Sequence, residues 1–231
     1  MTLDDLLGPR GESRWSERGL FVVLEGGDGA GKTTQSRVLM EWLANRGVTA
    51  LTTYEPGDSA VGQQIRRIVL DPAGGEVDHR AEALLYAADK AQHLYEVVEP
   101  ALARGEVVVC DRYVDSMLAY QGAGRALSLA EVEHVARWAT GNLRPHLTVL
   151  LDVDPEQAVS RKRDPDRVEG AGAQFHGRVR QYLLDLAAAD PEHYLVLPAR
   201  GGRVEEIAAS IRSRLEPLVS GLSAPAATMG P

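Results

Sequence analysis

Short runs of consecutive apolar residues alternate along this chain with longer stretches whose apolar positions recur at helical spacing. Leu20-Phe21-Val22-Val23-Leu24 is the first run, and its unbroken apolarity is that of a strand buried on both faces. Val48 to Tyr54, Val107 to Cys110, Leu147 to Val153 and Tyr194 to Leu197 predict further strands. Between them, helices are predicted over 32–46, with Val38, Leu39, Trp42 and Leu43 on one face and Gly47 as the stop. More helices are predicted over 60–70, 79–104 (with Pro100 kinking it or opening a last turn), 114–121, 128–140, 173–189 and 203–218. Another begins at Asp154-Pro155 and breaks at Asp164-Pro165. Strands alternating with helices predict an α/β domain: a parallel sheet covered on both faces. Residues 1–18 lack periodicity and read as a flexible N-terminal extension. Residues 19–220 read as one domain, and the Ala/Pro/Gly-rich tail over 221–231 as disordered.

Composition narrows the function. With 231 residues, 44% of them hydrophobic, the chain can bury a core. A net charge of −8 argues against a nucleic-acid binder, which needs a basic face. The single cysteine, Cys110, ends an apolar strand and reads as a core thiol. No apolar run approaches membrane-spanning length and no signal-peptide pattern opens the chain, so a cytoplasmic protein without membrane contact is expected. Of 25 basic residues only Lys32, Lys90 and Lys162 are lysine.

Lys32 falls in the most informative motif. Gly26-Gly27-Asp28-Gly29-Ala30-Gly31-Lys32-Thr33 fits G-x-x-x-x-G-K-[ST], after a predicted strand and before a helix. Glycines let backbone N–H groups converge on phosphates, and the following helix adds its positive N-terminal end. Lys32 is placed to reach the β- and γ-phosphates of ATP, Thr33 to bind Mg²⁺, and Thr34 to complete the loop. GTPases, motor ATPases and small-molecule kinases all carry such a loop. No Asn-Lys-x-Asp guanine-reading motif occurs, because neither Lys90 nor Lys162 follows Asn. Instead Val107-Val108-Val109-Cys110-Asp111-Arg112-Tyr113 delivers an acid and an arginine to a strand end, the edge where open α/β sheets bind ligands. Asp111 suits Mg²⁺ through water, and Arg112 suits an acceptor phosphate.

With these pieces the sequence resembles the thymidylate kinase family. The matching segments are residues 25–35, Glu55-Pro56-Gly57, Ala87 to His93, Asp111 to Ser116, Ala119 to Arg125, Leu150 to Val153 and Asp166 to Glu169, in family order. The resemblance implies a P-loop NTPase-type three-layer α/β/α fold with a five-stranded parallel sheet, a homodimer, and transfer from Mg-ATP to dTMP. It implies Tyr86 stacking on the base, a hydrogen bond from position 90 to a base carbonyl, and Ser116, Met117, Tyr120 and Gln121 near base and sugar. Arg112 would hold the acceptor phosphate, with Asp28 beside it.

Arg161-Lys162-Arg163-Asp164-Pro165-Asp166-Arg167 packs four cations into seven positions within a lid segment of about 161–172. The P-loop carries no arginine, so the lid is expected to supply the one that meets the transferring phosphoryl group, Arg161, Arg163 and Arg167 being the candidates. The chain departs from the family at Tyr86 (Phe is usual), Lys90 (Arg), Met117 (a small polar residue) and Tyr54 (Arg). A point charge at 90 and a soft wall at 117 predict looser discrimination among pyrimidine monophosphates. A related kinase for another or modified pyrimidine monophosphate is the alternative. A silent nucleotide-binding paralogue fits poorly with Lys32, Thr33, Asp111 and Arg112 all present.

Overall fold

The structure, a computed structural model, describes residues 13–154, 166–199 and 203–222. Among them five parallel strands form one sheet: β1 (Leu20–Glu25), β2 (Ala50–Tyr54), β3 (Val107–Asp111), β4 (Leu147–Asp152) and β5 (Tyr194–Pro198), in the order β2-β3-β1-β4-β5. The central strand β1 pairs Val22 with Val109 on one side and with Leu147 on the other. Because side chains alternate across a strand, Leu20, Val22 and Leu24 face α1 (Lys32–Ala44) and α8 (Val204–Ser220), packing with Leu39, Leu43, Ile211 and Leu215. Phe21 and Val23 face the opposite layer, with Leu94, Val98 and Leu102. Two apolar faces explain the unbroken apolar run, and the arrangement is the three-layer α/β fold.

The stretch read as one helix over 79–104 is helical throughout, but not uniformly α. The α-helix α3 (His79–His93) passes through a wider π-helical turn (Leu94–Val98) into α4 (Glu99–Ala103). The wide turn ends at Val98, two positions before Pro100, which cannot donate to the helical ladder. The predicted helix over 114–121 likewise begins as α5 (Val114–Met117) and widens to a π-helical segment, Leu118–Gly124. The remaining helices are α2 (Ala60–Leu70), α6 (Leu129–Ala139) and α7 (Ala173–Ala189).

Two boundary expectations need correction. The sequence predicts a flexible extension through Arg18, yet residues 14–16 are docked. Arg14 Nη2 meets Glu99 Oε1 at 2.6 Å, Trp15 stacks on His193 at 5.4 Å, and Ser16 O accepts from His146 Nε2 at 3.0 Å. Single contacts of this kind leave no periodic signature in sequence. At the other end α8 runs to Ser220, and Leu222 packs on the core, so residues 221 and 222 do not belong to the tail expected from residue 221. No described helix is long and apolar enough to cross a membrane.

Candidate active site

The loop between β1 and α1 is shaped by its glycines. Gly26 has φ 134, and a Cβ there would lie 2.4 Å from Leu151 O, so the root of the loop is packed against β4. Gly31 has φ 98, caps α1 in the left-handed region and has nothing within 4 Å of an added Cβ. The result is an open concavity at a helix N-terminus, the shape that receives a phosphate. Lys32 folds back over it, Nζ donating to Gly26 O at 3.0 Å and Gly27 O at 3.3 Å. Burial, with the Arg112 charge adding to it, lowers its ammonium pKa to about 8.

Beside the loop, β3 ends at Asp111, whose Oδ1 lies 3.7 Å from Lys32 Nζ. That oxygen is buried and has no hydrogen-bond partner. A buried carboxylate oxygen with unused acceptor capacity, beside Lys32 of the loop that also carries the exposed Thr33, fits a Mg²⁺ site.

Arg112 takes a left-handed conformation, φ 69, that a non-glycine residue adopts only when its surroundings enforce it. Here Arg112 N donates to Leu24 O at 2.9 Å. The buried Glu25 fixes the turn that follows, accepting from Tyr113 N, Ser116 N and Ser116 Oγ at 3.0, 3.1 and 2.7 Å. The guanidinium is thereby aimed back at the phosphate loop. Its Nη2 meets Asp28 Oδ1 at 3.0 Å, and its Nη1 reaches Ser116 Oγ at 3.2 Å and Tyr120 Oη at 3.3 Å.

From Asp28 and Arg112 a cleft opens between α3 and the π-helical segment. All the residues expected on the acceptor side line it: Asp28, Tyr86, Lys90, Arg112, Ser116, Met117, Tyr120 and Gln121. Met117 is buried and packs with Ala83 and Ala87 of α3, forming an apolar wall. Tyr86 keeps its phenol protonated, because burial and then the nearby Glu82 push its pKa up.

Lys90 is placed differently from the expectation. It lines the cleft, but its ammonium is engaged by Glu55 Oε2 in a contact buried on both sides. Glu55 Oε1 lies 2.8 Å from His93 Nδ1, and His93 Nε2 lies 2.5 Å from Thr53 Oγ1. Thr53 Oγ1 in turn donates to Asp58 Oδ2 at 2.6 Å. Burial by itself would raise the Glu55 carboxyl, but Lys90 and His93 outweigh it and hold it below the usual range. Burial would likewise depress the Lys90 ammonium, and Glu55 outweighs it. Both directions describe one ionised pair, so the charge at position 90 is a fixed part of the wall.

The lid arginines fare unequally. Arg161, Lys162 and Arg163 lie outside the described residues. Arg167 is not brought to the phosphate loop: its Nη2 donates to Val69 O at 2.8 Å and its Nη1 to Gly75 O at 3.4 Å. In this arrangement Arg167 contacts backbone carbonyls and not the phosphate loop. One carbonyl at the end of α2 and one in the loop beyond it hold the guanidinium, and the Arg167 backbone N–H also bonds Leu70 O at 3.2 Å. Sequence reasoning left Glu25, Glu55, Glu82 and Arg125 out of the site. Glu25, Glu55 and Arg125 stand inside recognised motifs and Glu82 lies five residues ahead of one, and the signal that marks them is a charge in a segment that the fold buries.

A phosphate loop, an orphaned acidic oxygen and an adjoining polar cleft on the carboxyl edge of a parallel sheet define a P-loop phosphotransferase. Comparison with known proteins specifies which. A family model described as thymidylate kinase matches residues 24–211. The chain is 60% identical over 202 residues to a thymidylate kinase of Cutibacterium acnes, covering 87% of this chain and 98% of that one. It is 54% identical over 208 residues to one from Clavibacter sepedonicus, with 87% and 97% covered. A crystal structure of thymidylate kinase from Ehrlichia chaffeensis superposes with a TM-score of 0.71 at 26% identity, over 86% of this chain and 98% of that one. The chain belongs to the thymidylate kinase family, and its reaction is the phosphorylation of dTMP.

Proposed function

We propose that ATP is the donor, with its phosphates in the loop from Gly26 to Thr34, and that dTMP occupies the cleft beneath Tyr86. Mg²⁺ would be held by Thr33 and Asp111 and would neutralise charge on the donor phosphates. Lys32 steadies the β- and γ-oxygens. Arg112 holds the acceptor phosphate, and Asp28, paired with it, sets its position at the junction of the two sites. The lid arginines Arg161, Arg163 and Arg167 are the candidates for assisting transfer, and Arg167 would have to leave the carbonyls of Val69 and Gly75 to do so.

The observation that carries this reading is the contact of Arg112 with Asp28 at 3.0 Å. It sets the Arg112 guanidinium, which lines the cleft, against the phosphate loop, where two phosphates must come within transfer distance of each other. Coupled ADP release, measured against deoxy- and ribonucleoside monophosphates, tests it. We expect dTMP to give the highest kcat/KM, with dUMP the nearest competitor. ADP release independent of any added monophosphate, or a purine monophosphate as the best acceptor, would sink the assignment of the cleft.

A further inference from the structure

One buried carboxylate behind the wall of the cleft has no role in the transfer chemistry. Glu82, in the first turn of α3, is 1% exposed. Its Oε1 accepts from Gln121 Nε2 at 3.0 Å and from Arg125 Nε at 3.1 Å. Its Oε2 accepts from Arg125 Nη2 at 3.1 Å, and Arg167 Nη2 lies 3.9 Å away. Gln121 is itself 2% exposed and lines the cleft.

This carboxylate accepts from the Arg125 guanidinium fork through both of its oxygens. It can bind only the NH₂ arm of a carboxamide, and the reversed amide would set two acceptor oxygens against each other. We infer that Glu82 is a positioning residue for acceptor specificity. It holds the Gln121 carboxamide with the NH₂ turned into the protein and leaves the carbonyl oxygen as the arm presented to the base. The cleft therefore requires a base that donates a ring N–H. Thymine and uracil carry that hydrogen at N3. Cytosine has a lone pair there, which would face the lone pairs of the Gln121 oxygen. A buried group that is left facing the wrong partner discriminates far more strongly than a difference in fit. The guanidinium fork from Arg125 makes the arrangement rigid, because rotating the Glu82 carboxylate would break two charge-assisted bonds at once.

The inference rests on the reading of the cleft as the acceptor site, and the test separates the two. The quantity to measure is the ratio of kcat/KM for dTMP to that for dCMP. In Glu82→Gln the side chain can offer either a donor or an acceptor, so Gln121 is free to flip. The ratio should fall about tenfold or more, by better use of dCMP as well as poorer use of dTMP. Glu82→Asp keeps the charge for Arg125 and Arg167 but withdraws it from Gln121. It should shift the ratio in the same direction, and it answers the question if Glu82→Gln does not fold. In a Gln121→Leu background, Glu82→Asp should leave the ratio unchanged, because its effect passes through Gln121. A Glu82→Asp protein that loses dTMP and dCMP turnover in equal proportion would overturn the inference and make Glu82 a purely structural residue. If Gln121→Leu alone changes neither the dTMP KM nor the ratio, the acceptor-site reading fails and the inference falls with it.

Discussion

Lys32→Ala is expected to lower kcat by about 10²–10³ or more while the protein stays folded. The magnitude is that of removing one preorganised charge donor from a developing anion. In the structure this ammonium lies over the loop on two backbone carbonyls, 3.7 Å from Asp111. The stability half of the expectation has its own argument. The group is 7% exposed, and burial lowers its pKa from 10.5 to about 8, so its charge works against folding near neutrality. Replacing it by Ala should leave the thermal midpoint unchanged or raise it. The same shift predicts a pH signature of the wild type. Phosphate oxygens favour the ammonium, so binding ATP raises the Lys32 pKa again and takes up a proton. ATP affinity should be level below about pH 8 and fall by up to about tenfold per pH unit above it. Calorimetry at about pH 9 in two buffers of different ionisation enthalpy should show that uptake, and Lys32→Ala should abolish it. A folded Lys32→Ala protein with undiminished turnover would remove the loop from the mechanism.

Lys90→Met is expected to destabilise the fold by about 3–5 kcal/mol, the scale of an uncompensated buried charge. Methionine matches the lysine stem in volume, so little cavity forms. What is lost is the ammonium that holds Glu55 ionised among groups that exclude water. The sign with pH follows. Without Lys90, burial raises the Glu55 carboxyl above its unfolded value, so the deficit is largest at neutral and alkaline pH and shrinks as the pH falls and Glu55 protonates. Glu55→Gln added to Lys90→Met should recover much of the loss. Urea unfolding of the four proteins in this cycle measures the coupling. A deficit below about 1 kcal/mol, the range of an exposed ion pair, would mean that Lys90 is not part of a buried pair.

The strands and the phosphate loop were legible in the sequence because their causes are local. An unbroken apolar run such as Leu20 to Leu24 needs two covered faces wherever it occurs, and glycines before Lys32 have few other uses. Lys90 shows where locality fails. Its position on a helix is readable, but its partner arrives 35 residues away in sequence, on the turn after β2. Glu82 is the same case. A glutamate in the first turn of a helix is ordinarily solvent-exposed and favoured by the helix dipole. It is buried here because the π-helical segment and Arg125 close over it. The widened turn at Leu118–Gly124 also escaped a periodicity argument, since one extra residue in a turn shifts which side chains face inward without changing composition. That shift bears on function, because the segment carries Tyr120 and Gln121 into the cleft. Residues 14–16 were misjudged for the converse reason: they are held by individual contacts with no repeating pattern.

The residue proposed to join an acceptor-phosphate site to the phosphate loop is Arg112. The most direct measurement is equilibrium titration of Arg112→Ala with dTMP and, separately, with ATP in Mg²⁺. Loss of a guanidinium that binds a phosphate with charge-assisted bonds should weaken dTMP by about 10²-fold, while ATP binding changes by less than about threefold. Unaltered dTMP affinity, or an equal loss for both nucleotides, would contradict the assignment of the cleft as the acceptor site.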